Sequence, residues 1–134
     1  MHFTSPIAFE IPDEIWILTG AGQWRPSRSS YVASAYQDAE SNQPHNDLSI
    51  SLIPIHLIEP PRTKSTARAL VNFRLERILK GFVTSSVLPA VLGQQKGNNP
   101  IAHVEIIDGA HRYYASIAVG FTHLPVALRK FYLP

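Results

Sequence analysis

At 134 residues, with 45% apolar, 10% aromatic and 16% charged side chains, the chain has material for one packed domain and too little charge for a disordered one. It contains no cysteine, which excludes thiol nucleophiles, disulfide frameworks and every cysteine-ligated zinc or iron–sulfur site. The formal charge of +2 divides unevenly: residues 1–60 carry two basic and seven acidic groups, summing to −5, and residues 61–134 carry ten and three, summing to +7. A basic second half suits an anionic partner such as phosphate, nucleotide or nucleic acid. The alternative is that the acidic half folds over the basic half and neutralises it. No apolar run approaches the roughly 18 residues of a membrane span, and MHFTSPIAFEIPDEIW lacks the basic and continuous apolar regions of a secretory signal. The expectation is a soluble, cytoplasmic protein with no membrane partner.

In chain order, Pro12-Asp13-Glu14 followed by Ile15, Trp16, Ile17 and Leu18 predicts a short helix stopped at Gly20. Residues 21–47 lose periodicity and read as a long irregular loop. Alternation of Leu48, Ile50 and Leu52 predicts a half-buried strand over 48–53. The following IPIHLIEPPR holds three prolines, expected to prevent a regular ladder. Val71, Leu75, Ile78 and Leu79 form the apolar stripe of a helix over about 65–80, with Gly81 as its stop and Arg74 and Arg77 off the stripe, facing solvent or a ligand. Residues 90–95 and 101–107 predict a β-hairpin across KGNNP. A helix from His111 to Val119, closed by Gly120, and a strand over 124–128 complete the chain. The order predicts an α+β fold, a small mixed β-sheet with flanking helices. Residues 1–47 are expected to pack as an N-terminal helix and loop on a core of 48–134.

The chemistry concentrates in IIDGAHRYYASIAVGFTHLPVAL, 106–128. A strand ends at Asp108, Gly109 permits a tight turn, and a helix opens beside His111. Unpaired N–H groups and the positive dipole end make such a junction an anion site. Arg112 at that end is unfavourable by about 0.3–1 kcal/mol unless an anion lies between guanidinium and dipole. Asp108 can cap the helix, pair with Arg112 or hold a divalent cation beside a phosphate. The purely structural alternative makes Asp108 an N-cap and pairs Arg112 with a carboxylate.

The pattern D-G-x-H-R-Y-x-A-S-x-x-x-G-x-x-x-L-P-V resembles the strand–turn–helix–strand signature of the ParB/sulfiredoxin superfamily. LIPIHLIEPPR, 52–62, is similar to that superfamily's strand and proline-rich, ligand-facing loop; residues 68–81 resemble its next helix, and LPAVL, 88–92, its next strand. FEIPDEIW and WRPS look like pieces of a group of short, stand-alone ParB-like proteins. The resemblance spans about residues 48–130. Sulfiredoxins carry a nucleophilic cysteine where Ala110 stands, so their chemistry is excluded here, while the phosphate-binding His111 and Arg112 of the pattern remain. Partition-type ParB proteins carry G-E-R-R at this turn; Gly109 and Arg112 match it and Ala110 replaces its glutamate. Their later E-N-x-Q-R helix and helix-turn-helix domain are missing from these residues, so a CTP-hydrolysing partition clamp is not expected. Free-serine kinases of the superfamily resemble the chain at Asp108, Arg112 and Glu59.

The resemblance implies a nucleotide or other phosphate ligand at Gly109, Ala110, His111 and Arg112, with Arg62, His56 and Tyr113 lining the pocket. It leaves hydrolysis or phosphoryl transfer open, with Asp108 or Glu59 as general base or metal ligand and magnesium accompanying a nucleotide. Two other functions compete: a non-enzymatic DNA-binding or regulatory module using Arg74, Arg77 and Lys80, and a partner-binding protein with a vestigial pocket. His103 and Glu105 share one strand face but bring no third ligand, so no metal site is expected. His123 reads as a turn residue. Of Tyr113 and Tyr114, adjacent on a helix, one is expected to face the core and the other the surface.

Overall fold

A computed structural model describes residues 11, 13–35, 48–61, 72–96 and 103–129. Pro12, residues 36–47 of the expected loop, Arg62, the expected helix start near Ser65, Val71 and residues 97–100 of the KGNNP turn lie outside the described residues.

Helix α1 (Asp13–Leu18) opens on its two acids, as the dipole favours, and buries Ile15. Strand β1 (Ala33–Ser34) follows an irregular passage. Strand β2 (Ile50–Pro54) leads through a single turn of 3-10 helix (Ile55–Leu57) into β3 (Ile58–Glu59). Next come α2 (Asn72–Val83), β4 (Leu88–Pro89), β5 (Val91–Lys96), β6 (His103–Asp108), α3 (Ala110–Val119) and β7 (His123–Arg129). The five longer-range strands form one mixed sheet in the order β2-β7-β5-β6-β3, and β1 pairs separately with β4, in parallel. The architecture is α+β, a curled mixed sheet with flanking helices.

Burial follows the register. Val91 pairs with Val126 and Leu92 with Ala127, so successive residues point to opposite faces. Val91 and Val126 join Leu75, Leu79, Tyr113 and Tyr114 in the main core beneath α2 and α3. Leu92 and Ala127 form a small second cluster with Ala90, against which Ala33 and Leu48 pack.

Five details differ from expectation. Strand β2 forms, but Ile50 and Leu52, the apolar residues of its alternation, are its exposed side chains, and Ile53 is the one that packs on the core. The prolines do not abolish pairing: Ile58 and Glu59 pair in parallel with Val104 and Glu105, between Pro54 and Pro60. The 21–35 passage is irregular but threads the core, with Tyr31 stacked on Phe82 at 5.3 Å and its hydroxyl donating to Pro89 O at 3.3 Å. Gly81 does not stop α2; the helix runs on to Val83, and Gly81 lets Leu88 approach, where an added Cβ would meet Leu88 Cδ2 at 2.9 Å. The stop is Ser85, at φ 58, with Ser85 N–H on Phe82 O and Ser86 N–H on Gly81 O, the paired bonds of a Schellman motif. Last, both Tyr113 and Tyr114 are fully buried, in an edge-to-face pair at 5.0 Å. Helix α3 is enclosed by sheet and α2, so neighbouring positions both meet protein.

Candidate functional site

The junction between β6 and α3 is shaped by a β-bulge. Gly93 pairs with Ile106 and Leu92 with Asp108, which leaves Ile107 as the extra residue. Bulges of this kind bend a strand and re-aim the residues after it. Gly109 follows at φ 125 and is the N-cap of α3, with no side-chain hydrogen bond capping the helix. A Cβ at Gly109 would lie 2.5 Å from Val91 Cγ1 and 3.2 Å from Arg112 Nη2. No other residue fits this φ and this space together.

That second distance locates the guanidinium. Arg112, in the first turn, folds back beside its own N-cap glycine, so its charge sits at the positive end of the helix. No acid occupies that first turn, and Arg112 makes no ion pair with any described residue. Its Nε is buried without an acceptor. Such a donor is costly, by about 1–3 kcal/mol, until an oxygen meets it.

The neighbours add to the positive field. Burial, then the guanidiniums of Arg74 and Arg112, push the His111 imidazole below its ordinary range, opposed by Asp108. Helix α2 packs along α3 and so carries Arg74 to this end. From the other side burial raises the Tyr31 phenol well above its usual range, and the nearby Arg112 opposes that shift. Asp108 itself is exposed and does not cap the helix.

The structure therefore brings together Asp108, Gly109, Ala110, His111 and Arg112, and adds Arg74 and Tyr31. The sequence offered Arg74 as a residue off the apolar stripe, facing solvent or a ligand, and as a candidate nucleic-acid contact, with no link to the 108–112 junction. Tyr31 lies in a stretch without period, and no sequence signal marks it. Glu59 stands apart: it pairs with Glu105, three residues and about 10 Å of strand before Asp108, and Lys96 Nζ engages it at 3.5 Å. The same lysine reaches Glu105 at 3.8 Å, and among the described residues no three acids or histidines cluster as a metal group. His56 is exposed in the 3-10 turn, with no hydrogen bond or ion pair to the junction. Tyr113, fully enclosed, supports α3 from within and offers no stacking face. His123 opens β7 and its Nδ1 meets Thr122 Oγ1 at 2.8 Å. Among the described residues no helix is long and apolar enough to cross a membrane.

Compared with solved structures, the chain is similar to the C-terminally truncated chromosome-partitioning protein ParB from Caulobacter crescentus, complexed with CTP-gamma-S, at a TM-score of 0.46 and 18% identity. The match covers 63% of this chain and 46% of that one, so the chain spans about half of the protein it matches. No family model and no curated protein matches the chain.

Proposed function

We propose that the domain binds a phosphate-containing ligand, a nucleotide or a smaller phosphate compound, at the mouth of α3. One observation carries this reading: the Arg112 guanidinium is turned back over Gly109 onto an uncapped helix N-terminus, with a buried Nε lacking an acceptor and no acid in that turn. Stability alone disfavours a cation there. A phosphate between the backbone N–H groups and the guanidinium satisfies both and reverses the sign. Arg74 extends the positive field for a second phosphate, and the His111 ring can donate a hydrogen bond to it. Asp108, exposed beside them, is the carboxylate that a magnesium ion shared with nucleotide phosphates would use, since magnesium takes one or two carboxylates and completes its shell with phosphate and water. The sequence pattern around 108–112 resembles a superfamily with phosphate-binding members, which supports the same reading.

The test is a thermal-shift panel of phosphate, pyrophosphate, ADP, ATP, CTP and GTP, each with and without magnesium. A ligand at 100 times its dissociation constant adds about 2.7 kcal/mol, several degrees for a chain of this length. In Arg112→Met, which keeps the apolar stem and removes the unsatisfied donor, the unliganded midpoint is no lower than that of the parent and the ligand shift disappears. Absence of a shift with every compound, or an equal shift in Arg112→Met, overturns the reading. A nucleotide that passes is then assayed for turnover.

A further inference from the structure

A cavity of about 170 Å³ lies between the 24–32 passage, the C-terminal turn of α2 and Phe121, which follows α3. Helix α3 is ten residues long, so its two ends stand about 15 Å apart at 1.5 Å per residue. None of Gly109, Ala110, His111 or Arg112 lines this cavity. It shares only Tyr31 with the α3 junction, whose phenol feels the Arg112 charge while its ring lines the cavity.

The lining is of two kinds. Tyr31, Phe82 and Phe121 form a packed aromatic group, with Phe82 edge-on to Phe121 at 5.1 Å, and Trp24 adds a fourth ring. Hydroxyls supply the polar part. Those of Ser27, Ser30 and Ser85 have no hydrogen-bond partner among the described residues. Arg28 is the one charged residue in the lining, is exposed, and forms no ion pair with any described residue.

The walls are held in place from behind. Ser29 O accepts from the N–H groups of Thr122 and His123, both at 3.0 Å, which ties the 24–32 passage to the start of β7. Tyr31 is fixed by its bond to Pro89 O, and the far wall is the paired backbone hydrogen bonds at Ser85 and Ser86. Ser85 holds this place at φ 58, a conformation that a residue with a Cβ takes at a cost. A cavity with fixed walls loses little in ordering when it is filled.

Volume and chemistry together narrow the occupant. About 150 Å³ is enough for one benzene-sized ring, so the enclosed part of this half-open cavity matches a single ring with a small substituent. Aromatic walls favour a flat apolar ring. A guanidinium without an acid favours a carboxylate, which it can meet with two parallel hydrogen bonds. We propose that this cavity is a binding site for a single-ring aromatic carboxylate, its ring against Trp24 and the Tyr31–Phe82–Phe121 group and its carboxylate on Arg28.

The test follows the Trp24 indole and the Gly81 and Ser85 amides by two-dimensional NMR during titration of the unmodified protein with benzoate and, separately, with its neutral isostere benzamide. Benzoate is expected to shift these signals saturably and to leave the Gly109 and Arg112 amides in place. Benzamide and the Arg28→Ala variant are expected to bind about tenfold more weakly, as loss of a charge-assisted pair predicts. Ser27→Phe, a change at an exposed position, places a ring in the cavity and abolishes the response. No saturable shift with benzoate, equal binding of benzamide, unchanged affinity in Arg28→Ala, or shifts confined to Gly109 and Arg112 each overturns the proposal. Because the readout never uses phosphate, its failure is distinct from failure at the α3 junction.

Discussion

The two ends of α3 are finished by opposite means. At the C-terminus the backbone closes on itself: Gly120, at φ 95, donates to Ser116 O and Ile117 O at 3.2 and 3.1 Å, and Phe121 N–H adds a bond to Ser116 O at 3.0 Å. The Ser116 and Ile117 carbonyls are thereby satisfied, and no basic side chain occupies the last turn. At the N-terminus no side chain caps the helix, the first turn holds His111 and Arg112, and a buried guanidinium nitrogen has no acceptor. Both ends use a glycine with positive φ, yet only one settles its polar groups internally. An end that leaves them open, with charge of the wrong sign for the dipole, is what the proposed phosphate site rests on.

The glycines give the largest way to break this contrast. A Cβ at Gly109 would meet Val91 Cγ1 at 2.5 Å and Val91 Cβ at 2.7 Å, whereas at Gly120 nothing lies within 4 Å. Gly109→Ala is expected to cost about 2–4 kcal/mol, combining backbone strain with overpacking. Gly120→Ala carries the backbone part alone, about 1–2 kcal/mol. Urea unfolding of the two variants measures the difference. Equal costs would mean that Val91 yields, and that the junction is not held tightly against β5.

A smaller effect sharpens the comparison of α3 with α2. Both helices end in the same pair of bonds, but α2 places Ser85 where α3 places Gly120. Ser85→Gly removes the strain of the left-handed conformation and gives back part of the gain through a more flexible unfolded chain, for a net stabilisation of about 0.5 kcal/mol. A rise in the urea midpoint at unchanged slope checks it. A fall would assign the Ser85 side chain a contact worth more than its strain.

Ser85 also marks where sequence stops being legible. Gly81 is the residue that composition nominates as the end of α2, and the helix passes through it because Leu88, distant from it in the register, needs the room. The elements with a period were readable: the stripe of Leu75, Ile78 and Leu79, the existence of a strand through Ile50 and Leu52 (though not its buried face, since both side chains are exposed and Ile53 packs on the core), and the strand–Gly–helix break at 108–110. The two-residue strands at 33–34, 58–59 and 88–89 were not, since two residues carry no period. Within the site, Gly109, His111 and Arg112 announce themselves by adjacency in the chain. Arg74 and Tyr31 reach the same place only through packing of α2 and of the 24–32 passage. Glu59 too lies where long-range register puts it: β3 on β6 sets it beside Glu105 and within reach of Lys96, three residues of strand short of Asp108.

The smallest predicted effect lies in pH dependence, because His111 is only partly buried and solvent screens its surroundings. Burial and the Arg74 and Arg112 charges hold its folded pKa below the ordinary 6.5. The folded state then binds fewer protons than the unfolded one, so this group's contribution is intact above about 6.5 and is lost as the pH falls through the folded value. The parent protein should lose stability on acidification below 6.5 more steeply than His111→Gln. An anion at the mouth of α3 adds a negative charge beside the imidazole and raises its pKa, so binding takes up a proton. Sulfate, which does not titrate near neutrality, should therefore bind more tightly as pH falls from 7.5 to 6, and His111→Gln should flatten that trend. A trend equally steep in the variant would separate His111 from the anion and leave Arg112 and the helix dipole to hold it alone.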